Sequence, residues 1–119
     1  TNVVTPVITR VMRAALERLG EAVAALAEAS RWMGGALQKN PDAAMAGATP
    51  YLRLFGLAAG GVYRARSALA AARNGGQAQP IAIARFFAEN IASAAPGLKE
   101  TVIGGADSTL MLAPEALSA

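Results

Sequence analysis

The amino-acid sequence predicts an all-α protein, an antiparallel four-helix bundle with two long and two short helices. Alanine, the strongest helix former, occupies 30 of the 119 positions. No stretch alternates apolar and polar residues in the way that a half-buried strand does. Prolines instead divide the chain into segments in which apolar residues recur every three or four positions, which is the helical period. At this length we expect one helical domain spanning residues 1–119.

The first long helix is predicted from about Pro6 to Gln38, with Thr5 as its N-cap. At 1.5 Å per residue it would be roughly 50 Å long. Its larger side chains keep heptad spacing over nearly four repeats, which predicts that they form the buried seam of the helix. That seam comprises Met12, Leu16, Leu19, Val23, Leu26, Ser30, Met33 and Leu37.

A second long helix is predicted to begin at Asn40–Asp42, where a capping Asn is followed by Pro and an acid. It should end at Asn74–Gly76, because Asn and Gly tolerate the left-handed geometry that terminates helices. Pro50 lies within this span and removes one backbone hydrogen bond. Either the helix kinks near Gly47–Thr49, which we favour, or Pro41–Ala46 forms a separate short helix.

Apolar and small residues of the second helix also follow alternating steps of three and four. The predicted buried seam comprises Tyr51, Phe55, Ala58, Val62, Ala65, Leu69 and Ala72. Gly56, Gly60 and Gly61 lie between them, and each glycine in a helix interior costs roughly 0.5–1 kcal/mol relative to alanine. Close approach of a neighbouring helix is the usual compensation, so we expect tight packing there. Gly20 and the pair Gly34–Gly35 predict similar crossings, or a bend, in the first helix.

The two shorter helices are predicted at Gln79–Ser93 and from Ala95 to just before Pro114. At about half the length of the first pair, they should leave the far tip of the long hairpin, around Arg31–Leu52, uncovered. We therefore hypothesise that this tip is apolar, partly exposed, and docks onto other parts of a larger protein or a second subunit. Its candidate residues are Trp32, Met33, Leu37, Met45 and Leu52. The alternative is that Pro50 folds the tip back onto its own core.

The charge and composition exclude several classes of function. The net charge is +3, but only 16% of residues are charged, and the nine Arg among the eleven basic residues are scattered along the chain. Without a basic cluster or interleaved aromatic residues, we expect no nucleic-acid binding. No uncharged run approaches the roughly 18–20 residues of a membrane span. The absence of Cys fits a reducing compartment, and we expect a cytoplasmic protein.

The sequence predicts no catalytic, cofactor-binding or metal-ligating residue. The chain has no His, the commonest general base at neutral pH and a common zinc ligand. Its Gly-Gly pairs lack the flanking residues of phosphate-binding loops. A di-iron bundle would require inward Glu-x-x-His motifs, which need His. Tyr63 with Arg64 and Arg66 could hold an anion, but a Tyr at the core edge and surface Arg side chains explain them equally well.

Several motifs resemble one known family. They are Ala48–Gly56, Gly60–Gly61, Ala84–Glu89, Pro96 and Ile103–Ala106. The chain resembles the C-terminal helical domain of the methylmercaptopropionyl-CoA dehydrogenase-like acyl-CoA dehydrogenases, from about Thr5 to Leu112. These are packing motifs, so they indicate a fold family more strongly than a reaction. Because the chain begins at Thr1 without Met, we expect a fragment or processed piece of a longer protein.

The resemblance implies a parent enzyme that oxidises an acyl-CoA to its enoyl-CoA, with FAD as the hydride acceptor and a glutamate as the base. None of the family's catalytic or flavin-binding segments matches this chain. The resemblance therefore implies a non-catalytic piece that braces the catalytic body or contributes to a homo-oligomer. Its partner would be the rest of the parent chain or a second subunit.

Two other classes of function stay open. The chain could be a free-standing helical interaction subunit of a multi-chain enzyme, forming a stable oligomer. It could also be a carrier whose small residues leave room for an acyl chain inside the bundle.

Overall fold

A computed structural model describes residues 4–76, 78–112 and 114–117, and the described part contains helices and turns but no strand. The predicted all-α class is therefore confirmed. The helices are α1 (Val4–Lys39), α2 (Pro41–Ala46), α3 (Ala48–Arg73), α4 (Ala78–Asn90), α5 (Ala95–Gly104), α6 (Ala106–Met111) and α7 (Pro114–Leu117), with a 3₁₀ turn at Ala92–Ala94.

The first helix, α1, begins at Val4 and ends at Lys39. Thr5 was predicted as the N-cap, but it lies inside the first turn, so that assignment is wrong. Pro6 is accommodated there because the first four amides of a helix have no partner within the helix. At its other end α1 is followed by Asn40, whose amide donates to the carbonyl of Ala36 at 2.8 Å.

The second predicted helix is divided at Gly47 into α2 and α3. This is the alternative with a separate short helix, and the favoured single kinked helix is wrong. The predicted start of α2 is confirmed: the side-chain oxygen of Asn40 accepts from the amide of Ala43 at 3.3 Å. Pro50 is the third residue of α3. Because an amide at that position has no partner within the helix, the proline begins a new helix without breaking one.

The predicted stop after α3 is confirmed. Gly75 and Gly76 have φ angles of +104° and +72°, in the left-handed region that glycine adopts without strain. The amide of Gly76 donates to the carbonyl of Ala71 at 2.8 Å. The side chain of Asn74 donates to the carbonyl of Ala70 at 2.9 Å. The last carbonyls of α3 are satisfied as the chain reverses towards α4.

The second half of the chain packs across the two long helices. Helix α4 contacts both α1 and α3, and α5 does the same. The predicted third helix stops at Asn90 rather than Ser93, and the predicted fourth helix is divided at Gly105 into α5 and α6. The molecule measures 65 × 33 × 18 Å. Since a helix with its side chains is about 10 Å across, the 18 Å dimension corresponds to two layers of helices.

The core between these layers is built mainly from alanine. The buried cluster comprises Ala15, Leu19, Ala22, Ala25, Ala29, Leu54, Ala58, Ala88, Ala92, Ala95 and Val102. Such small side chains let the helices approach closely. A Cβ on Gly61 would lie 2.7 Å from Leu19 Cδ2, and one on Gly60 would lie 3.0 Å from Phe87 Cζ. The predicted tight packing at Gly60 and Gly61 is confirmed.

Close packing was also predicted at Gly20, at the pair Gly34–Gly35 and at Gly56. A Cβ at each of these would meet nothing within 4 Å. The prediction of close helix crossings is therefore wrong at these four glycines, and the alternative of a bend in α1 at Gly20 or Gly34–Gly35 stays a prediction.

The predicted seams are confirmed in part and displaced by one position in part. Leu19 and Ala58 are buried as predicted, and Leu26, Met33, Tyr51 and Ala65 pack partly buried against the core. On α1, Ala15, Ala22, Ala29 and Ala36 are buried where Leu16, Val23, Ser30 and Leu37 were predicted. On α3, Leu54, Gly61 and Ala68 are buried where Phe55, Val62 and Leu69 were predicted. These displaced large residues lie on the flank of each helix, because alanine and glycine occupy the positions where the helices meet.

Candidate docking surface

The five residues predicted as a docking surface at the hairpin tip lie in two different environments. Trp32 and Met33 are partly buried and pack against the core cluster. Leu37, Met45 and Leu52 are 60%, 74% and 71% exposed. The structure thus divides the predicted set into two residues that support the core and three that face outwards.

The C-terminal helices extend far enough to cover part of the tip. Helix α6 packs against α2. A Cβ on Gly47, at the α2–α3 junction, would lie 3.0 Å from the carbonyl oxygen of Val102 in α5 and 3.5 Å from the Trp32 ring. The expectation that the short helices stop before the tip is therefore wrong, because the chain after Pro96 continues along the hairpin to α2.

A second apolar surface lies on one side of the α1–α3 pair. Five large side chains there are between 37% and 52% exposed, namely Leu16, Val23, Phe55, Val62 and Leu69. We call them the open face. The residues on each helix are seven positions apart, which is about two helical turns, so they line one side of each helix.

A groove of about 540 Å³ runs along the open face, between the two helices. Leu16 and Val23 line it from α1, and Val62 and Leu69 line it from α3, with Ile81 of α4 at one end. Gly20 also lines it, and nothing lies within 4 Å of where its Cβ would be. The groove therefore has an apolar floor and room above the backbone of α1.

Few charges interrupt the open face. Among the described residues, Arg66 is the one charged residue in the groove lining, and it falls between Val62 and Leu69 in the sequence of α3. The ion pairs Arg18–Glu21 and Arg85–Glu89, at 3.5 and 3.1 Å, each lie within a single helix. A mostly apolar surface with a single Arg has a composition typical of protein interfaces.

An ion pair on the opposite side joins α5 to α1. Lys99 Nζ lies 3.3 Å from Glu28 Oε2 and 3.1 Å from Glu100 Oε1. The side-chain hydrogen bonds to Glu100 and then to Glu28 raise the pKa of Lys99 above its ordinary value of 10.5. The Lys99 side chain is only 21% exposed. This cluster adds a polar contact between α5 and α1 at the protein surface.

A second open cavity, of about 530 Å³, lies between the start of α1 and α4. Val11, Met12, Ile81 and Phe86 supply apolar walls, and Arg85, which also lines the cavity, is paired with Glu89. Among the described residues the lining is therefore mainly apolar.

Two further properties concern metals and membranes. No group of three or more His, Cys, Asp or Glu side chains is positioned to hold a metal ion within the part of the chain that the structure describes. Among the described helices, none combines the length and the apolar character needed to cross a membrane.

The open face was missed from the sequence because its residues were assigned to the core. A signal was present in the alanine stripe at positions 15, 22, 29 and 36, which runs one position before the leucine and valine stripe of the same helix. Two parallel stripes, one small and one large, indicate a helix with two apolar contacts instead of one.

One comparison with known proteins gives a match. A family model described as "acetyl-CoA dehydrogenase C-terminal like" matches residues 2–113 of the 119. No curated protein and no solved structure matches the chain significantly.

Proposed function

Because the chain belongs to the acetyl-CoA dehydrogenase C-terminal-like family, we propose that it is a non-catalytic accessory domain of an FAD-dependent acyl-CoA dehydrogenase. The parent enzyme would oxidise an acyl-CoA to its enoyl-CoA. This chain would brace the catalytic body or the oligomer, and the flavin and the catalytic base would be held by other parts of the enzyme.

The observation that carries this proposal is the open face. Five large apolar side chains on the two long helices are left partly exposed, although α4 and α5 both pack against these helices. An exposed apolar patch of this kind on a folded protein typically marks a contact with another protein surface. The chain therefore has a surface for binding protein and a separate core that holds this surface rigid.

The ionisable side chains support a structural role. Glu28 and Glu100 bind Lys99, and Glu89 binds Arg85. All three acids are exposed. A general base in an acyl-CoA site would instead be enclosed with its substrate and shielded from water. We assign no catalytic step to these residues.

The experiment that tests this proposal removes the segment matched by the family model from the native dehydrogenase chain. We expect the truncated enzyme to lose thermal stability, or to fall to a smaller oligomer, while each remaining flavin keeps its reduction rate by acyl-CoA. A loss of reduction rate with unchanged melting temperature and mass would overturn the proposal, since it would place a catalytic group in this segment. Unchanged rate, melting temperature and mass would overturn it too.

A further inference from the structure

We propose that the groove of the open face binds an acidic amphipathic helix from another part of the enzyme, with carboxylates of that helix paired to arginines at the edges of the groove. The source of this helix, the catalytic body outside residues 1–119, rests on the proposed function. The groove itself sets the charge and the length of the helix.

The groove has the dimensions of a site for one helix. Its lining runs from Met12 to Val23 along α1, about 16 Å, and from Val62 to Ala72 along α3, about 15 Å. A helix of about eleven residues has that length, and apolar side chains at every third or fourth position would enter the groove. Gly20, with nothing within 4 Å of its Cβ position, lets the partner come close to the backbone of α1. A flat lipid surface would not reach into this concave site.

The α3 side of the groove carries positive charge without a balancing acid. Helix α3 contains four arginines and neither Asp nor Glu. Arg66 lines the groove. Arg66 and Arg73 follow Val62 and Leu69 by four residues, about one helical turn, so both lie along the groove side of α3. Both arginines are exposed, and neither takes part in an ion pair among the described residues.

A third arginine stands at the outer edge of the groove on the α1 side. Leu19 lies against Gly61, and the two long helices run in opposite directions. Arg13 comes six residues before Leu19, and Arg66 comes five residues after Gly61. They therefore stand at nearly the same level, about 9 and 7.5 Å beyond that contact. Arg13 is exposed and lies one turn before Leu16 on the same side of α1.

The acids at this end of the hairpin do not balance these arginines. Two of them, Glu21 and Glu89, are already bound within their own helices. Glu17 is exposed and takes no part in the ion pairs of the described residues. Among the described residues, three arginines therefore border the groove with a single uncommitted carboxylate near them.

This charge pattern selects the partner. A second copy of the chain would double the excess of arginine at the contact, and like charges across an interface are repulsive. A helix with apolar residues along one side and carboxylates beside them would fill the groove and pair with Arg13, Arg66 and Arg73. Arginine–carboxylate pairs at the edges would also fix the register of the helix.

Zero-length cross-linking in the full-length native enzyme tests the identity of the partner. Arg66→Lys keeps the charge and supplies an amine that a carbodiimide joins to a carboxylate in direct contact. We expect a cross-link from position 66 to an Asp or Glu in a helical segment outside residues 1–119. The matched control is Arg53→Lys, at an exposed position of α3 that is outside the groove lining and about 140° around the helix from Arg66. It should give no cross-link to that segment.

The alternatives give different cross-links. No product at position 66 would overturn the proposal. A product only with acids inside residues 1–119 would overturn it too, since the contact would then be within the chain or with a second copy. A product with an acidic helix of a protein that binds no flavin would overturn the proposed function and leave the acidic-helix assignment standing.

Phenylglyoxal modification of the unaltered enzyme provides a second measurement that needs no variant. In the native enzyme Arg66 and Arg73 should react roughly tenfold more slowly than Arg53, because a paired guanidinium is modified only while it is released. After unfolding in urea the three should react at equal rates. Equal rates in the native enzyme would overturn the proposal.

Discussion

At the scale of single residues, two glycines of α3 have different surroundings. A Cβ on Gly61 would meet Leu19 Cδ2 at 2.7 Å, which is closer than real Cβ contacts allow, and Leu19 is only 6% exposed. A Cβ on Gly56 would meet nothing within 4 Å. Only Gly61 is therefore required by packing, although both appear equivalent in the sequence pattern.

We predict opposite effects of alanine at these two sites. Gly56→Ala should stabilise the fold by about 0.5–1 kcal/mol through helix propensity alone. Gly61→Ala should lose more than this gain, with a net destabilisation of about 1 kcal/mol, because the buried Leu19 must move. Urea unfolding of both variants measures the difference. Equal stabilisation by the two substitutions would show that the α1–α3 contact is looser than described.

At the scale of helices, α1 and α3 are joined by a polar contact as well as by alanine packing. Ser30 Oγ and Tyr51 Oη lie 2.7 Å apart and are partly buried. This hydrogen bond joins the two long helices directly, at one point along their contact.

A double-mutant cycle with Ser30→Ala and Tyr51→Phe tests that contact. Each single variant should lose about 0.5–1.5 kcal/mol of unfolding free energy, the usual contribution of one hydrogen bond. The double variant should lose little more than either one alone, since both remove the same bond. Fully additive losses would contradict a direct interaction between the two hydroxyls.

The ion pair between Lys99 of α5 and Glu28 of α1 predicts that the stability of the fold depends on pH. Because its carboxylate partners raise the pKa of Lys99 above 10.5, the contribution of Lys99 to stability is fully present below the pKa of an unfolded lysine. It is lost as the pH rises through the higher pKa of the folded state. The difference in unfolding free energy between the wild type and Lys99→Gln should therefore stay constant between neutral pH and about pH 9 and shrink above about pH 10.5.

Chemical denaturation of wild type and Lys99→Gln across this range gives that difference directly. Glu28→Gln provides the matched comparison, since it removes the partner on α1 and keeps Glu100 on α5. In a protein that already carries Glu28→Gln, the substitution Lys99→Gln should lower the unfolding free energy by less than it does in the wild type. A difference that grew with pH would contradict the assigned pairing.

At the scale of the whole molecule, the sequence predicted the helical class and the breaks at Asn40 and at Gly75–Gly76, because these follow from local chemistry. The start at Asn40 and the stop at Gly75–Gly76 depend on residues next to each other in the chain. The helix faces were predicted less well. When alanine and leucine stripes run side by side, periodicity gives the angle of an apolar face only to within one residue, and tertiary packing decides which stripe is buried.

The candidate docking surface shows again that helical periodicity alone does not decide which side chains are buried. Trp32, a large aromatic residue near the hairpin tip, was placed on a partly exposed docking surface, and the structure leaves it partly buried with its ring packed against the core. Val62 was placed in the core, and it contributes to the open face. Residues close together in the sequence cannot show that α6 contacts α2, or that α4 and α5 pack on both long helices and leave the open face partly exposed. Those facts depend on how the second half of the chain crosses the first.

The central claim is that this chain acts as an accessory part of a flavin-dependent acyl-CoA dehydrogenase. The most direct measurement is the intact mass and visible absorbance of the native protein, captured from its source with an antibody against α1. The account predicts a chain several times heavier than 12.1 kDa that carries bound flavin and is bleached by an acyl-CoA substrate. A colourless native chain of about 12.1 kDa would contradict it and leave an independent helical binding subunit.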